Sequence, residues 1–400
     1  MRAEPTGITA GRSPLLAGLQ PLRVSRRDFP RAGPRRHSLF GADGDQDAGA
    51  TNRPTGRPLT KPLELQSQRK ADMMQRTADR HTPVMRDRII ELLAPALQRP
   101  GSIVVDGTLG MGGHAEGILD ACPDAQLIGI DRDPQAIALA GERLGPRGGR
   151  VRFAHAIYDE LPEVLAGLGV ARIDAALFDL GVSSLHLDEA HRGFAYRVDA
   201  PLDMRMDQSG GQTAADVLNE YDPARLERVI KDFGEERYAR AIVKAVVAQR
   251  KIVPFATSGP LVELLKRVVP AGSQRSGGHP AKRTFQALRI EVNAELDAWQ
   301  RALPVAIGAL RVGGRIAVLS YHSLEDRITK RGLAEGATSR AIPGMPVERA
   351  EDAAYLRLLT RGAEVPSITE VANNPRSASA RLRAAERTRD IAQPNQGGIR

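Results

Sequence analysis

Between Ser102 and Asp179 short apolar runs alternate with helical stretches, and this alternation limits the possible folds more than any other feature of the chain. Ser102-Ile103-Val104-Val105-Asp106 reads as a strand that runs into a glycine-rich turn, Gly107 to Gly113. A helix through Ile118-Leu119 follows, then a second strand, Leu127-Ile128-Gly129-Ile130-Asp131, ending on an acid. Pro134 to Leu144 is helical, with proline at a first-turn position. Val151 to His155 and Ile173 to Asp179 read as the third and fourth strands. Strands separated by helices at this spacing predict an α/β fold built on a parallel sheet.

The alternation then stops for about a hundred residues. Residues 187–283 hold helical patterns, such as Arg237 to Gln249 and Gly259 to Val269, and no clear strand. It resumes with a helix read as Thr284 to Leu310 and the strand Gly314 to Ser320. A polar stretch, 331–352, leads to a closing hairpin around Tyr355–Arg361 and Ala380–Arg387. The expected organisation is a sheet domain in two parts, 81–186 and 284–400, around an inserted helical substrate-recognition domain, 187–283.

Charge is uneven along the 400 residues. The net charge is +9, but residues 1–80 carry 15 Lys/Arg against 8 Asp/Glu, so the remainder is nearly balanced. Eight prolines, eight glycines and no sustained period mark 1–80 as a disordered basic extension. Met73 and Met74, just before the first organised segment, fit an over-extended start. The single cysteine, Cys122, excludes a disulfide framework and multi-cysteine metal sites. No apolar run nears the roughly 18 residues of a membrane span. A cytoplasmic protein without membrane attachment is expected.

The chemistry concentrates at the strand ends. In Asp106-Gly107-Thr108-Leu109-Gly110-Met111-Gly112-Gly113-His114, glycines let backbone N–H groups approach a ligand at a helix N-terminus. Gly110-x-Gly112-x-x-Ala115 followed by Asp131 fits a dinucleotide fingerprint, and nicotinamide and S-adenosylmethionine (SAM) enzymes both place an acid there for a ribose diol. Tyr158 follows the third strand, where its ring would pack on adenine. The fourth strand ends in Asp179-Leu180-Gly181-Val182-Ser183-Ser184. Open α/β sheets bind ligands outside the carboxyl ends of their strands, where these groups converge. Tyr321-His322-Ser323 follows the fifth strand and should face the same cleft. His322, Ser323 and Asp326 lack the G-x-S-x-G elbow of a hydrolase, and a capped helix start at Ser323 with Asp326 at the third position is the structural alternative. Arg192, Arg197, Arg205, Lys282, Arg283 and Arg289 are candidate phosphate contacts, with Phe194 and Tyr196 as stacking surfaces for an unpaired base.

With these residues in view, the chain resembles the RsmH (MraW) family of SAM-dependent methyltransferases, which act on N4 of a cytidine in 16S ribosomal RNA. The matching stretches include His81-Thr82-Pro83-Val84, Asp106 to His114, Asp131 to Ile137, Asp179 to Ser184 and Arg192-Gly193-Phe194. Pro201 to Met206, Gly234 to Arg237, His279-Pro280, Arg283 to Ala287, Ser320 to Arg327 and Asn374-Pro375-Arg376 continue them, covering about 81–390. The resemblance implies a Rossmann-like sheet with a helical insertion. It also implies that Gly112, Gly113 and His114 hold the methionine end of SAM and that Asp131 binds the ribose hydroxyls. Tyr158 would lie beside adenine, with Asp179 and His186 completing the pocket. His186 stands where the family is expected to carry Gln, and nothing transfers to residues 1–80. SAM is the implied cofactor, with no metal, and 16S rRNA in the small ribosomal subunit is the implied partner. Monomer and homodimer both stay open.

Cytosine N4 is a poor nucleophile because its lone pair is delocalised into the ring. A site that accepts hydrogen bonds from the amino group localises that pair. Asp179 is the first candidate for this role, with cofactor binding as its competing role. Ser183, Ser184, Phe194, Arg289, Tyr321, His322 and Ser323 are candidate substrate contacts. Two alternatives remain at this stage: a nicotinamide-dependent dehydrogenase, and a ribosome-assembly factor that binds SAM or rRNA without turnover.

Overall fold

The structure, a computed structural model, describes residues 22–23, 83–270, 278–341, 349 and 351–390. Apart from Leu22–Arg23, the basic extension read from the sequence lies outside the described residues. Seven strands form the main sheet: β1 (Ile103–Asp106), β2 (Gln126–Asp131), β3 (Val151–His155), β4 (Ile173–Asp179), β5 (Leu310–Ser320), β6 (Leu356–Leu358) and β7 (Arg381–Arg387). Their order is β3-β2-β1-β4-β5-β7-β6, and Leu22–Arg23 pairs parallel on the outer side of β3. β1 to β5 are mutually parallel, whereas β7 runs antiparallel between β5 and β6. The sheet is the Rossmann-like α/β type. Its strand order reverses between β1 and β4, so a crevice opens beyond Asp106 and Asp179.

The alternation of side chains along each strand builds two cores. Val104, Ala175, Leu177, Ala317 and Leu319 face one side and pack on helices Arg86–Leu93, Gly113–Ala121 and Pro134–Leu144. Val105, Ala176, Phe178, Ile316 and Val318 face the other and pack on Leu161–Gly167, Glu295–Ala309 and Ser323–Ala337. Six of the seven β4 residues are buried, as both faces of a central parallel strand must be. Trp299 closes this second core: its ring contacts Phe178 at 5.0 Å between centroids, and its indole N–H donates to Thr329 Oγ1 at 3.0 Å. Among the described residues no helix is long and apolar enough to cross a membrane.

A third core belongs to the helices between β4 and β5, gathered around Leu218, Ile230, Ile242 and Leu265. The helix read from sequence as Thr284 to Leu310 is two helices, Ala281–Asn293 and Glu295–Ala309. Ala294 breaks it in the left-handed region, at φ 50°. Phe285, Ala287 and Leu288 of the first helix pack into the third core, whereas Trp299 and Leu303 of the second pack under the sheet. The break is held from outside the helix. Asn293 Nδ2 donates to the Met204 carbonyl, its Oδ1 accepts from the Met206 N–H, and Arg132 donates to its carbonyl.

Candidate active site

One cleft of about 850 Å³ lies over the carboxyl ends of β1, β2, β4 and β5. Its floor starts with the glycine turn. Gly107 crosses directly beneath Phe178, where a Cβ would fall 2.3 Å from the ring, so no larger residue fits without displacing that core. Gly110 and Gly112 take positive φ, 51° and 77°. The turn is then fastened to β2, because Gly110 N–H donates to Asp131 Oδ2 at 2.7 Å while Asp133 N–H donates to Oδ1 at 2.9 Å. Each oxygen of Asp131 keeps one acceptor direction free, and the residue lines the cleft. Burial pushes its carboxyl above the usual range, against these two backbone bonds.

Asp106 lies under the turn, 1 % exposed, and accepts from Thr108 N–H at 3.2 Å. Burial pushes its pKa up to about 7, opposed by His114. Thr108 Oγ1 accepts from the Asp179 N–H at 2.6 Å, which joins the turn to the end of β4. His114 Nε2 stands 3.4 Å from Asp179 Oδ2, out of hydrogen-bond alignment. Asp179 Oδ1 is buried without a hydrogen-bond partner, as are both ring nitrogens of His114. Buried polar atoms left open in this way are costly unless a ligand satisfies them. Tyr321 covers Gly181, where a Cβ would fall 2.7 Å from its ring. Burial and then the neighbouring Asp179 hold its phenol well above the ordinary range.

Tyr158, Gly113, Ser183, His186, Phe194, Arg289 and His322 also line the cleft. Tyr158 meets Phe178 and Trp299 edge-on and donates its hydroxyl to the Glu295 carbonyl at 3.1 Å. Ser183 Oγ accepts from Leu185 N–H and caps the short helix Ser184–Asp188, which Ser184 opens; the Ser184 side chain lies outside the described residues. His186 has its Nε2 2.8 Å from Asp133 Oδ2 and leaves a buried, unpartnered Nδ1. Arg192 pairs with the same carboxylate. Burial alone would raise the Asp133 pKa, but the His186 hydrogen bond and the Arg192 charge outweigh it and hold the carboxyl low.

Several expected RNA contacts are thus engaged inside the protein. Arg192 is 4 % exposed and also donates to the Met206 carbonyl at 2.9 Å, and Arg205 pairs with Asp203. Phe194 is buried and stacks on His186 at 5.0 Å. Arg289 lies between Glu295 at 2.9 Å and Glu325 at 3.8 Å. Glu295, His322 and Glu325 bring one ligand atom each within 4.8 Å of one another, but the Arg289 guanidinium already supplies the positive charge there. Two expected site residues do not line the cleft. Gly112 turns its N–H to the Leu109 carbonyl at 2.8 Å and faces Leu144, acting through the turn's shape. Ser323 points away and donates to Glu235.

The cap after β5 also differs by one residue from the sequence reading. His322 is the N-cap and Glu325 closes the box, accepting from the N–H groups of Tyr321 at 2.8 Å and His322 at 3.2 Å. Asp326 instead pairs with Arg383. Ser323, His322 and Asp326 therefore have separate partners and form no triad.

The sequence reading missed two parts of the cleft wall, Pro83 and Asn374 to Arg376, whose neighbouring segments are joined where Met85 N–H donates to Glu370 Oε1 at 2.6 Å. Asn374-Pro375-Arg376 stood out as a motif, but only the antiparallel return of β7 brings it here.

The MraW methylase family matches residues 78–388. Ribosomal RNA small subunit methyltransferase H of Saccharopolyspora erythraea is 58% identical over 325 residues, covering 81% of this chain and 98% of that protein. The proteins of the same name from Pseudarthrobacter chlorophenolicus and Frankia alni are each 59% identical, over 318 and 324 residues. They cover 78% and 80% of this chain and 96% and 99% of their own lengths. None of the three is a dehydrogenase, and the glycine turn with Asp131 alone no longer supports that alternative. With its strand-end acids, its glycine turn and this identity along the whole sheet and insertion, the chain belongs to the MraW methylase family.

Proposed function

We propose that the chain transfers the methyl group of SAM to the N4 amino group of a cytidine in 16S rRNA of the small ribosomal subunit. The observation that carries the chemical part is Asp179 Oδ1, a buried carboxylate oxygen without a partner at the sheet's switch point. An exocyclic amine donates to such an oxygen, which draws the nitrogen lone pair out of conjugation and offers a place for the departing proton. His114 Nε2 lies 3.4 Å from the same carboxylate.

The residues present fit SAM. Asp131 offers two free acceptor directions for the ribose diol. Gly113 and His114 line the cleft and would hold the methionine end, and Tyr158 supplies a ring in its wall. His186 Nδ1 adds one polar contact beyond the Asp133 pair. SAM supplies a methyl group on a positively charged sulfur; the protein's part is to hold donor and amine in line and to exclude water. Ser183, Tyr321 and His322 stand on the substrate side, whereas Arg289 acts by fixing Glu295 and Glu325 beneath it.

Asp179 also touches the glycine turn through Thr108, which favours a second role in holding the donor. Asp179→Asn separates the two. Amine activation predicts a fall in single-turnover methyl transfer to small subunits much larger than the loss of SAM affinity. Equal losses would make Asp179 a donor-binding residue only.

A further inference from the structure

Most cations along the cleft have partners. Arg132 donates to the Asn293 carbonyl, Arg143 pairs with Glu116, Arg289 with Glu295 and Arg376 with Asp188. Arg197 and Lys282 differ: both are exposed on the helical side of the cleft, and neither side chain has an acceptor among the described residues. In the same cleft Tyr196 and His279 stack with centroids 4.6 Å apart and planes 19° from parallel. Phe285 braces the tyrosine edge-on at 5.6 Å. Ala281 N–H donates to His279 Nδ1 at 3.2 Å, which fixes the neutral tautomer with its proton on Nε2. Burial and the charges of Lys266 and Arg197 favour the same neutral ring. The result is a braced aromatic pair in the same cleft as Asp179, accompanied by two cations without an acceptor among the described residues.

Flat rings beside unpaired cations suit one ligand chemistry, an unstacked base and its phosphate. Phe194, the other aromatic considered from sequence, is buried against His186 and leaves this role to Tyr196. We propose that Tyr196 and His279 form a stacking platform for the nucleotide next to the target cytidine, with Arg197 and Lys282 holding its phosphate. Splaying that neighbour onto the platform frees the target base to reach Asp179. This inference rests on the RNA-methylating function proposed above.

The test uses the full chain, SAM and unmethylated small ribosomal subunits. Tyr196→Leu keeps apolar volume but removes the stacking face. It should raise KM for subunits roughly ten- to a hundredfold, the range of one base–aromatic stack. Tyr196→Phe should restore the wild-type KM, and SAM affinity should stay unchanged in both. Combined Arg197→Ala and Lys282→Ala should lower the slope of log binding constant against log salt by about 0.7, the value for one single-strand phosphate neutralised. An unchanged KM in Tyr196→Leu, with methyl transfer by the wild type intact, would remove the platform alone. Lost SAM affinity in Tyr196→Leu would overturn it too, by making the tyrosine a structural residue. No transfer by the wild type would remove the function and the platform together.

Discussion

Asp131 is where the fold and the donor site meet, and replacing it has a cost that can be worked from its contacts. Its carboxylate accepts Gly110 N–H at 2.7 Å and Asp133 N–H at 2.9 Å, and it offers one further direction per oxygen. Asp131→Ala leaves both amides without that partner. Gly110 lines the cleft, where water replaces much of its bond, but Asp133 is 1 % exposed and lies off it, so the stability loss should be about 1–3 kcal/mol, the range for an unsatisfied buried donor. The effect on the donor is larger. Two charge-assisted bonds to a ribose diol are each worth roughly 1.5–3 kcal/mol, so SAM affinity should fall by about a hundredfold or more. Asp131→Asn should sit close to alanine, because its amide group must turn an N–H toward one of the two backbone donors. Calorimetric titration with SAM, paired with thermal melting, gives both quantities for each variant. A well-folded Asp131→Ala protein with wild-type SAM affinity would refute the assignment.

Asp106 makes a pH prediction. Its folded pKa of about 7 lies above the unfolded value near 3.9, so the stability it confers is full below about pH 4 and is lost as pH rises through 7. Asp106→Asn, measured by melting from pH 4 to 8, should flatten that fall; an identical pH dependence in both proteins would contradict the burial argument. Gly193 has φ 74°, and a Cβ there would fall 2.1 Å from the Pro201 carbonyl oxygen. Gly193→Ala should therefore destabilise the protein by roughly 2–3 kcal/mol through backbone strain and overpacking, and denaturant unfolding with a loss under about 0.5 kcal/mol would contradict it. Arg192→Met strands Asp133 with only His186 as a side-chain partner and should cost about 3–5 kcal/mol in the same assay; a near-neutral result would show that the pair is not stabilising.

Much of the fold was legible because it is encoded locally. Short apolar runs alternating with helical stretches marked β1 to β5, and Pro134 at a first-turn position marked a helix that the structure starts there, with Asp133 accepting Gln135 N–H at 2.9 Å. The acids at strand ends were legible for the same reason, since parallel strands put their ends on one edge. What escaped depends on distant contacts. Nothing around Asn293-Ala294-Glu295 signals a break, because Met204, Met206 and Arg132 impose it from elsewhere in the chain. Arg192 read as a free cation because its partner, Asp133, lies 59 residues away, whereas Arg205 pairs with Asp203 only two residues before it, a local pairing that the sequence reading overlooked. Ser323 was placed in the cleft by sequence adjacency to Tyr321, but one residue of helix turns it toward Glu235. Charge type was therefore visible in the sequence, whereas charge pairing was not.

The central claim is the methylated atom. Small ribosomal subunits lacking the modification, incubated with the chain and isotopically labelled SAM, should yield one labelled nucleoside from digested 16S rRNA. Mass spectrometry should place its methyl group on cytidine N4, and Asp179→Asn should abolish most of that product while still binding SAM. Label on a ring carbon, on a ribose hydroxyl or on another base, or no label on 16S rRNA at all, would contradict the account.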